Sequence, residues 1–343
     1  MKRFYIFQSA VTILFSFFSC TSMKEMPEFI TIFTGDMDNV KLISYTQDKE
    51  NNVLLTFDKN IKDISCNIFK DEDETFPISN NVKKMNEEEN KQFIVSLENK
   101  ADVKIGDAFF VKGEVKDRFG NSLLFKLNFV GANNNPCILK ISEVRPLYSK
   151  KPKSEFIEMV VVKEGNLSGI KILNVGSKKE PDYTFPPAYV KKGEIVVYHW
   201  RCFDEDAKDE VDASIISKAP EASSFARDFW GHYKSLPKRK SNAIVIEEDG
   251  IVQDAILYAD SKENEEEWPS ESITNAALKA FESGVWMPSS EIKDAIHYHI
   301  TPSASVGRKI IPNENKSNAK QWYLYKSKDV TLGKRNKWYG VFS

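Results

Sequence analysis

Two consecutive β-sandwiches, the second carrying helical insertions, are what this all-β sequence of 343 residues predicts. Three observations support that reading. Apolar and polar residues alternate in short runs set between polar turns, the period-2 signature of half-buried strands. Aromatics make up 12%, with 23 Phe and 12 Tyr against 15 Gly, which suits aromatic-rich strands more than a Gly-dependent nucleotide fold. The pattern then breaks at the uncharged, turn-rich Gly131-Ala-Asn-Asn-Asn-Pro136 and starts again, and at about 100–200 residues per domain the length accommodates two. Hydrophobic residues at 41% and charged residues at 29% exclude a disordered or polytopic membrane chain. Lys+Arg 48 against Asp+Glu 50 leaves a net charge of −2 and no bulk attraction for nucleic acid.

The N-terminus reads as an address. Met1-Lys2-Arg3 is a basic n-region and Phe4 to Phe18 a mostly apolar core. That core is too short for a membrane span, which needs about 20 apolar residues. It ends in Ser16-Phe17-Phe18-Ser19-Cys20, which resembles a bacterial lipobox, with Phe17 and Phe18 where Leu and a small residue are commoner. The resemblance implies a signal peptide over 1–19, acylation of Cys20 and a tether over 20–28. Membrane lipid is then a partner through Cys20, and the location is the bacterial cell envelope, facing periplasm or exterior. Each buried methylene of an acyl chain adds about 0.8 kcal/mol.

Over 29–135 the strand candidates are Leu42–Tyr45, Val53–Phe57, Ile64–Phe69, Gln92–Leu97, Ala108–Val115 and Ser122–Phe129. Even spacing with no long 3.6-period segment argues for two sheets closing on one core. The Asp117-Arg-Phe-Gly120-Asn121 stretch predicts a tight turn, with Gly120 at positive φ and Asp117 and Asn121 bonding local backbone. Together with Val53–Ile61, this segment resembles bacterial immunoglobulin-like modules, which act as spacers or adhesive units. The acidic clusters Asp71–Glu74 and Glu87–Glu89 lack the register of a calcium loop.

Over 136–343 strands are expected at Cys137–Arg145, Ser154–Lys163, Asn166–Leu173, Val190–Tyr198, Ala243–Glu247 and Gly250–Tyr258. The ordered pieces I-S-E-V, E-F-I-E-M, N-L-S-G-I-K-I, K-G-E-I-V-V, D-G-I-V-Q-D-A-I-L-Y, S-A-S-V-G-R and V-T-L-G-K-R-N resemble the lamin-tail domain family. The resemblance implies an immunoglobulin-like sandwich of a secreted or membrane-attached protein. Glu205–Pro237 and Ser261–Ile296 interrupt the compact pattern, and Leu332-Gly333 replaces the usual Pro-Gly. Ile273, Ala276, Ala277, Ala280 and Phe281 predict an amphipathic helix over Ser270–Glu282, capped by Ser270 and ended by Ser283-Gly284. Phe225, Phe229, Trp230 and Tyr233 recur at helix-like spacing in the other insertion.

Chemistry is sparse at this level. G-x-S-x-G, H-E-x-x-H and Walker A sequences are all absent. His297-Tyr-His299, on a strand, would put two imidazoles on one face, where Asp294 could complete a zinc site of a metal-dependent hydrolase. Two polar rings on a solvated face explain the same pattern. The acidic stretch Asp204–Asp212 lacks an EF-hand register and reads as a solvated loop. Cys66, Cys137 and Cys202 show no C-x-x-C spacing, and no cofactor is expected. Lys234–Lys240 and Lys326–Lys337, beside Trp230, Tyr233, Trp322, Tyr323, Tyr325 and Trp338, are the local basic runs that a polyanion such as extracellular DNA would need.

The reading that follows is a non-catalytic envelope scaffold or adhesive module whose partner is an envelope or extracellular protein or glycan. Its contact aromatics would be Phe225, Phe229, Trp230, Tyr233, Trp268 and Trp286 on the second module.

Overall fold

The computed structural model describes residues 28–32, 39–70, 76–86, 89–147, 153–175, 183–202, 204–231, 240–262, 266–299, 301–302, 304–309, 316–326, 328–334 and 336. Cys20, Tyr233, most of Lys234–Lys240 and Trp338 therefore lie outside the described residues. The fold is mostly β, with one α-helix among the described residues. Contacts divide the chain into two units, one of residues 1–103 and 108–129, the other of 104–107 and 130–343.

The first unit contains β1 (Glu28–Ile32), β2 (Leu42–Gln47), β3 (Val53–Phe57), β4 (Ile61–Phe69), β5 (Asn81–Lys84), β6 (Gln92–Ser96), β7 (Ala108–Asp117) and β8 (Ser122–Val130). They form two four-stranded sheets, ordered β1-β8-β7-β4 and β2-β3-β6-β5. Alternation explains the core, since Val53, Leu55 and Phe57 on β3 meet Phe93 and Val95 on β6 and Val111, Val115, Leu123 and Phe125 on the other sheet. Gly113 is required by close approach, because a Cβ there would lie 2.4 Å from Phe125 Cζ and 2.8 Å from Cys66 Sγ. The turn at Asp117 forms as expected, with Gly120 at φ +89°. Asp117 Oδ1 accepts from the amides of Phe119 (2.8 Å) and Asn121 (3.0 Å), and its Oδ2 from Asn121 Nδ2 (3.0 Å).

The second unit runs through β9 (Ile138–Arg145), β10 (Phe156–Lys163), β11 (Gly165–Asn166), β12 (Lys171–Asn174), β13 (Tyr183–Thr184), β14 (Tyr189–Val190), β15 (Ile195–His199), β16 (Arg227–Trp230), β17 (Ser241–Glu248) and β18 (Ile251–Ala259). Then come α1 (Glu271–Glu282), β19 (Ile296–His297), β20 (Ser305–Arg308) and β21 (Trp322–Tyr325). A six-stranded sheet, β16-β15-β10-β9-β20-β21, and a five-stranded sheet, β13-β12-β17-β18-β19, contribute to one core; β11 and β14 pair separately. Asp249 (φ +48°) and Gly250 (φ +82°) make the two-residue turn joining β17 to β18, the positive-φ pair that a tight hairpin demands.

Helix α1 takes nearly the expected span, Glu271–Glu282, but Ser270 at its N-cap makes no side-chain capping bond. Ile273, Ala276, Ala277 and Ala280 are buried against the core formed by β17 and β18, and Gly284 at φ +72° follows its end. The other insertion corrects the sequence reading. Phe229 and Trp230 belong not to a helix but to β16, which pairs parallel with β15, Tyr198 facing Phe229 and His199 facing Trp230. The pairing partner lies about 30 residues away, beyond what local periodicity registers.

Candidate functional site

On the six-stranded sheet the face turned away from the main core carries a chain of polar side chains. Along β15, Val196 and Tyr198 enter the main core while Ile195 and Val197 join a smaller cluster on the opposite face. By the same alternation His199 falls on that opposite face. Its Nε2 lies 2.8 Å from Asp228 Oδ1, and its Nδ1 lies 3.4 Å from Ser154 Oγ. The ring lies flat on Trp230, with centroids 3.9 Å apart and planes 8° from parallel. Ser154, His199 and Asp228 thus stand in the order nucleophile, base and orienting acid of acyl-transfer enzymes.

The surroundings use up what such a site would need. His199 and Asp228 are fully buried and Ser154 nearly so. The Ser154 amide, a natural oxyanion donor, gives its hydrogen to Glu221 Oε2 at 2.6 Å. Arg145 pairs with the same Glu221 oxygen at 2.5 Å and donates to the Ser154 carbonyl. Asp228 Oδ2 accepts from the Ser223 amide at 2.6 Å. Glu155 is buried and holds Arg201 through two bonds, at 2.9 and 2.5 Å. These bonds fasten residues 210–223 of the first insertion to the sheet.

The acidic stretch is solvated in part: Glu205, Asp206 and Asp212 are exposed, whereas Glu210 is drawn inside. Glu210 is buried, accepts from Ser217 N (2.7 Å) and Asp228 N (3.1 Å), and burial raises its carboxyl above the ordinary range despite those bonds. Asp209 Oδ1 accepts from Trp230 N at 2.7 Å, while Asp204 and Asp212 bond the amides of Asp206 and Ser214.

The predicted contact aromatics are not brought together as a surface. Phe229, Trp230 and Trp286 are buried, so their rings are packing residues. Trp268 is half-buried, donating to Ser290 O at 2.8 Å. Phe225 is 65% exposed, with Lys334 Nζ 4.8 Å above its ring. Of the aromatics beside the basic runs, Trp322 and Tyr325 are buried, whereas Tyr323 is exposed and carries Lys309 Nζ at 3.7 Å.

The two histidines of the H-x-H pattern have separate partners. His297 Nε2 meets Ile292 O at 2.8 Å, while His299 Nδ1 lies 3.0 Å from Asp260 Oδ1. Asp294 is engaged by Ser289 Oγ. Among the described residues no group of three His, Cys, Asp or Glu side chains is placed to hold a metal. Cys66, Cys137 and Cys202 are free thiols.

No solved structure matches the chain. It is 38% identical over 245 residues to an uncharacterized protein of Treponema pallidum (strain Nichols), an alignment covering 68% of this chain and 61% of that protein. The family model TP_1001_2nd, described as a protein second domain, matches residues 137–324 and so takes in Ser154, His199 and Asp228. That match spans more than half of the sequence, and the chain belongs to this family.

Proposed function

We propose that the chain is a bacterial envelope lipoprotein, held to a membrane by acyl chains on Cys20, that works without catalysis as a scaffold or ligand-binding module. The observation that carries the non-catalytic part is the Ser154 amide: its hydrogen is committed to the Glu221 carboxylate, beside a serine and histidine closed to solvent. The two-sheet cores of both units support taking 29–135 as an immunoglobulin-like module and 136–343 as a lamin-tail-like domain. Binding of an envelope or extracellular protein or glycan falls to the exposed rings of the second unit, Phe225 and Tyr323, each with a lysine over its face. The net charge of −2 argues against nucleic acid.

Detergent phase separation tests the anchor: the full chain enters the detergent phase and a Cys20→Ala chain stays aqueous. Retention of the Cys20→Ala chain on isolated envelope glycan and on envelope protein, compared with Phe225→Ala and Tyr323→Ala, tests the surface. Ester or peptide turnover abolished by Ser154→Ala would overturn the non-catalytic assignment.

A further inference from the structure

The C-terminal segment is fastened to the six-stranded sheet over two adjacent carboxylates. Glu143 on β9 and Glu158 on β10 face each other in register, and both are fully buried. Val330 and Leu332 pack beside them on Phe156, Val160, Ile195 and Val197. Glu143 Oε1 accepts from Ser305 Oγ, and Glu158 accepts from Ser142 Oγ at 2.5 Å and from Gly333 N at 2.7 Å. Among the described residues no ion pair includes either carboxylate.

The hydrogens around Thr331 do not balance if Glu143 is ionised. Thr331 Oγ1 is in hydrogen-bond contact with both Glu143 Oε2 and Asn336 Oδ1. Asn336 cannot be turned round, because its Nδ2 donates to Ser142 O (2.9 Å) and Arg308 O (3.2 Å). A hydroxyl has one hydrogen to give, and an amide oxygen has none. Thr331 must donate to Asn336, so the contact with Glu143 needs a hydrogen from the carboxyl side.

We infer that Glu143 is held as a neutral carboxylic acid whose Oε2–H donates to Thr331 Oγ1, and that this proton latches residues 330–334 and Asn336 onto the sheet. The relay runs from Glu143 through Thr331 to Asn336, and from there to the carbonyls of β9 and β20. Burial raises both carboxyls, Glu158 the further because a negative Glu143 would be a like charge beside it, while the Ser305 and Thr331 hydroxyls and the Thr331 amide, which donates to Glu143 Oε2 at 3.2 Å, oppose the rise in Glu143. The other groups that face the pair are Arg145 on β9, the one cation that favours ionisation of Glu143; Asp228 on β16, acting on Glu158; Tyr325 on β21; and Asp329 in the segment itself, acting on Tyr325. Because the folded carboxyl binds its proton more tightly than the unfolded one, the latch is complete in acid and weakens as pH rises through the folded value. Deprotonation turns the Thr331 hydroxyl toward Glu143 and releases Asn336.

Hydrogen–deuterium exchange of residues 328–336 in the full chain, corrected for intrinsic rates between about pH 5 and about pH 9, reads the latch. Protection should fall about tenfold or more with rising pH in the native sequence. It should stay flat in Glu143→Gln, whose carboxamide supplies an N–H in place of the O–H. Infrared spectroscopy at neutral pH should show a protonated-carboxyl absorption band that Glu143→Gln diminishes and that persists in Glu158→Gln. A native chain without that band, a band lost in Glu158→Gln, or pH-independent native protection would each overturn the inference. Should Glu143→Gln fail to fold, the native band, its persistence in Glu158→Gln and early exchange of the segment in Thr331→Val decide the matter.

Discussion

Arg308 and Asp254 meet at 2.8 Å inside the second unit, both essentially without exposure, and join β20 to β18. Asp254 Oδ2 also accepts from the Ile141 amide at 2.8 Å, so one carboxylate ties three strands. Lys140 stands 3.9 Å away, and burial lowers its ammonium below the usual lysine range even though Asp254 opposes that shift. Taking one partner from a buried pair leaves a charge without compensation, at about 3–5 kcal/mol. Asp254→Ala should lose that much in urea denaturation. Combined with Arg308→Met, the loss should shrink, giving a coupling of about 1–3 kcal/mol; strictly additive losses would deny the pair its bridging role.

In the first unit the same five-residue turn is built twice. Asp48 bonds the amides of Glu50 (2.8 Å) and Asn52 (2.9 Å) and Asn52 Nδ2 (2.8 Å), with Asn51 at φ +65° where the second turn has Gly120. Burial alone would raise the Asp117 carboxyl, but Asn121 Nδ2, the amides of Phe119 and Asn121, and Lys59 together hold it below its ordinary value. A depressed folded value means the carboxylate stabilises fully above the unfolded range, about pH 4, and loses that contribution as pH falls through the folded value. Asp117→Ala should cost about 2 kcal/mol at neutral pH and much less at about pH 2. A cost independent of pH would show that the turn does not use the charge. Gly120→Ala should cost about 1 kcal/mol from its positive φ alone, since nothing lies within 4 Å of the added Cβ.

What was legible in the sequence is what depends on near neighbours. Helix α1 shows itself because Ile273, Ala276, Ala277 and Ala280 repeat at helical spacing, and the Asp117 turn because side chain and amide are four residues or fewer apart. Strand β16 is misread because its parallel pairing is remote, so Phe229 and Trp230 carry no local mark of the alternation that splits them between two faces. Edge strand β5, Asn-Val-Lys-Lys, has too little apolar content to stand out. Ser154, His199 and Asp228 come from positions 45 and 29 residues apart and become one group only once β15 lies beside β10 and β16. Glu143 and Glu158 carry no local mark of burial, because the segment bonded to them lies about 170–190 residues further along.

Thiol chemistry should separate the three cysteines of the described residues. Burial pushes the thiols of Cys66 and Cys137 up to about 12, the latter against small opposing effects from its own backbone and Lys163. Thiolate is the reactive form, so neither should react with an alkylating reagent at mildly alkaline pH in the folded chain. Cys202 is half-exposed, with Sγ 2.7 Å from Asp204 O, and should react natively. Mass spectrometry of alkylated peptides reads this directly, and native labelling of Cys66 or Cys137 would show that their cores open.

The bonds around His199 also separate a clasp from a catalytic group. Asp228 holds His199 Nε2 and the Ser223 amide together, so Asp228→Ala strands a buried imidazole and a half-buried N–H. Losses of that kind run to about 3 kcal/mol. Residues 204–226 should loosen with it, exposing the Lys208 and Lys218 peptide bonds to trypsin. Ser154→Ala removes only a hydroxyl at 3.4 Å from the ring, the outer limit of a hydrogen bond, while the Ser154 backbone keeps its bonds to Glu221 and Arg145. It should therefore cost less than about 1 kcal/mol and leave proteolysis unchanged. In a clasp the two variants differ sharply in stability and neither affects a reaction. In a catalytic group they would share one activity loss with little difference in stability, and that result would move Ser154 from packing to chemistry.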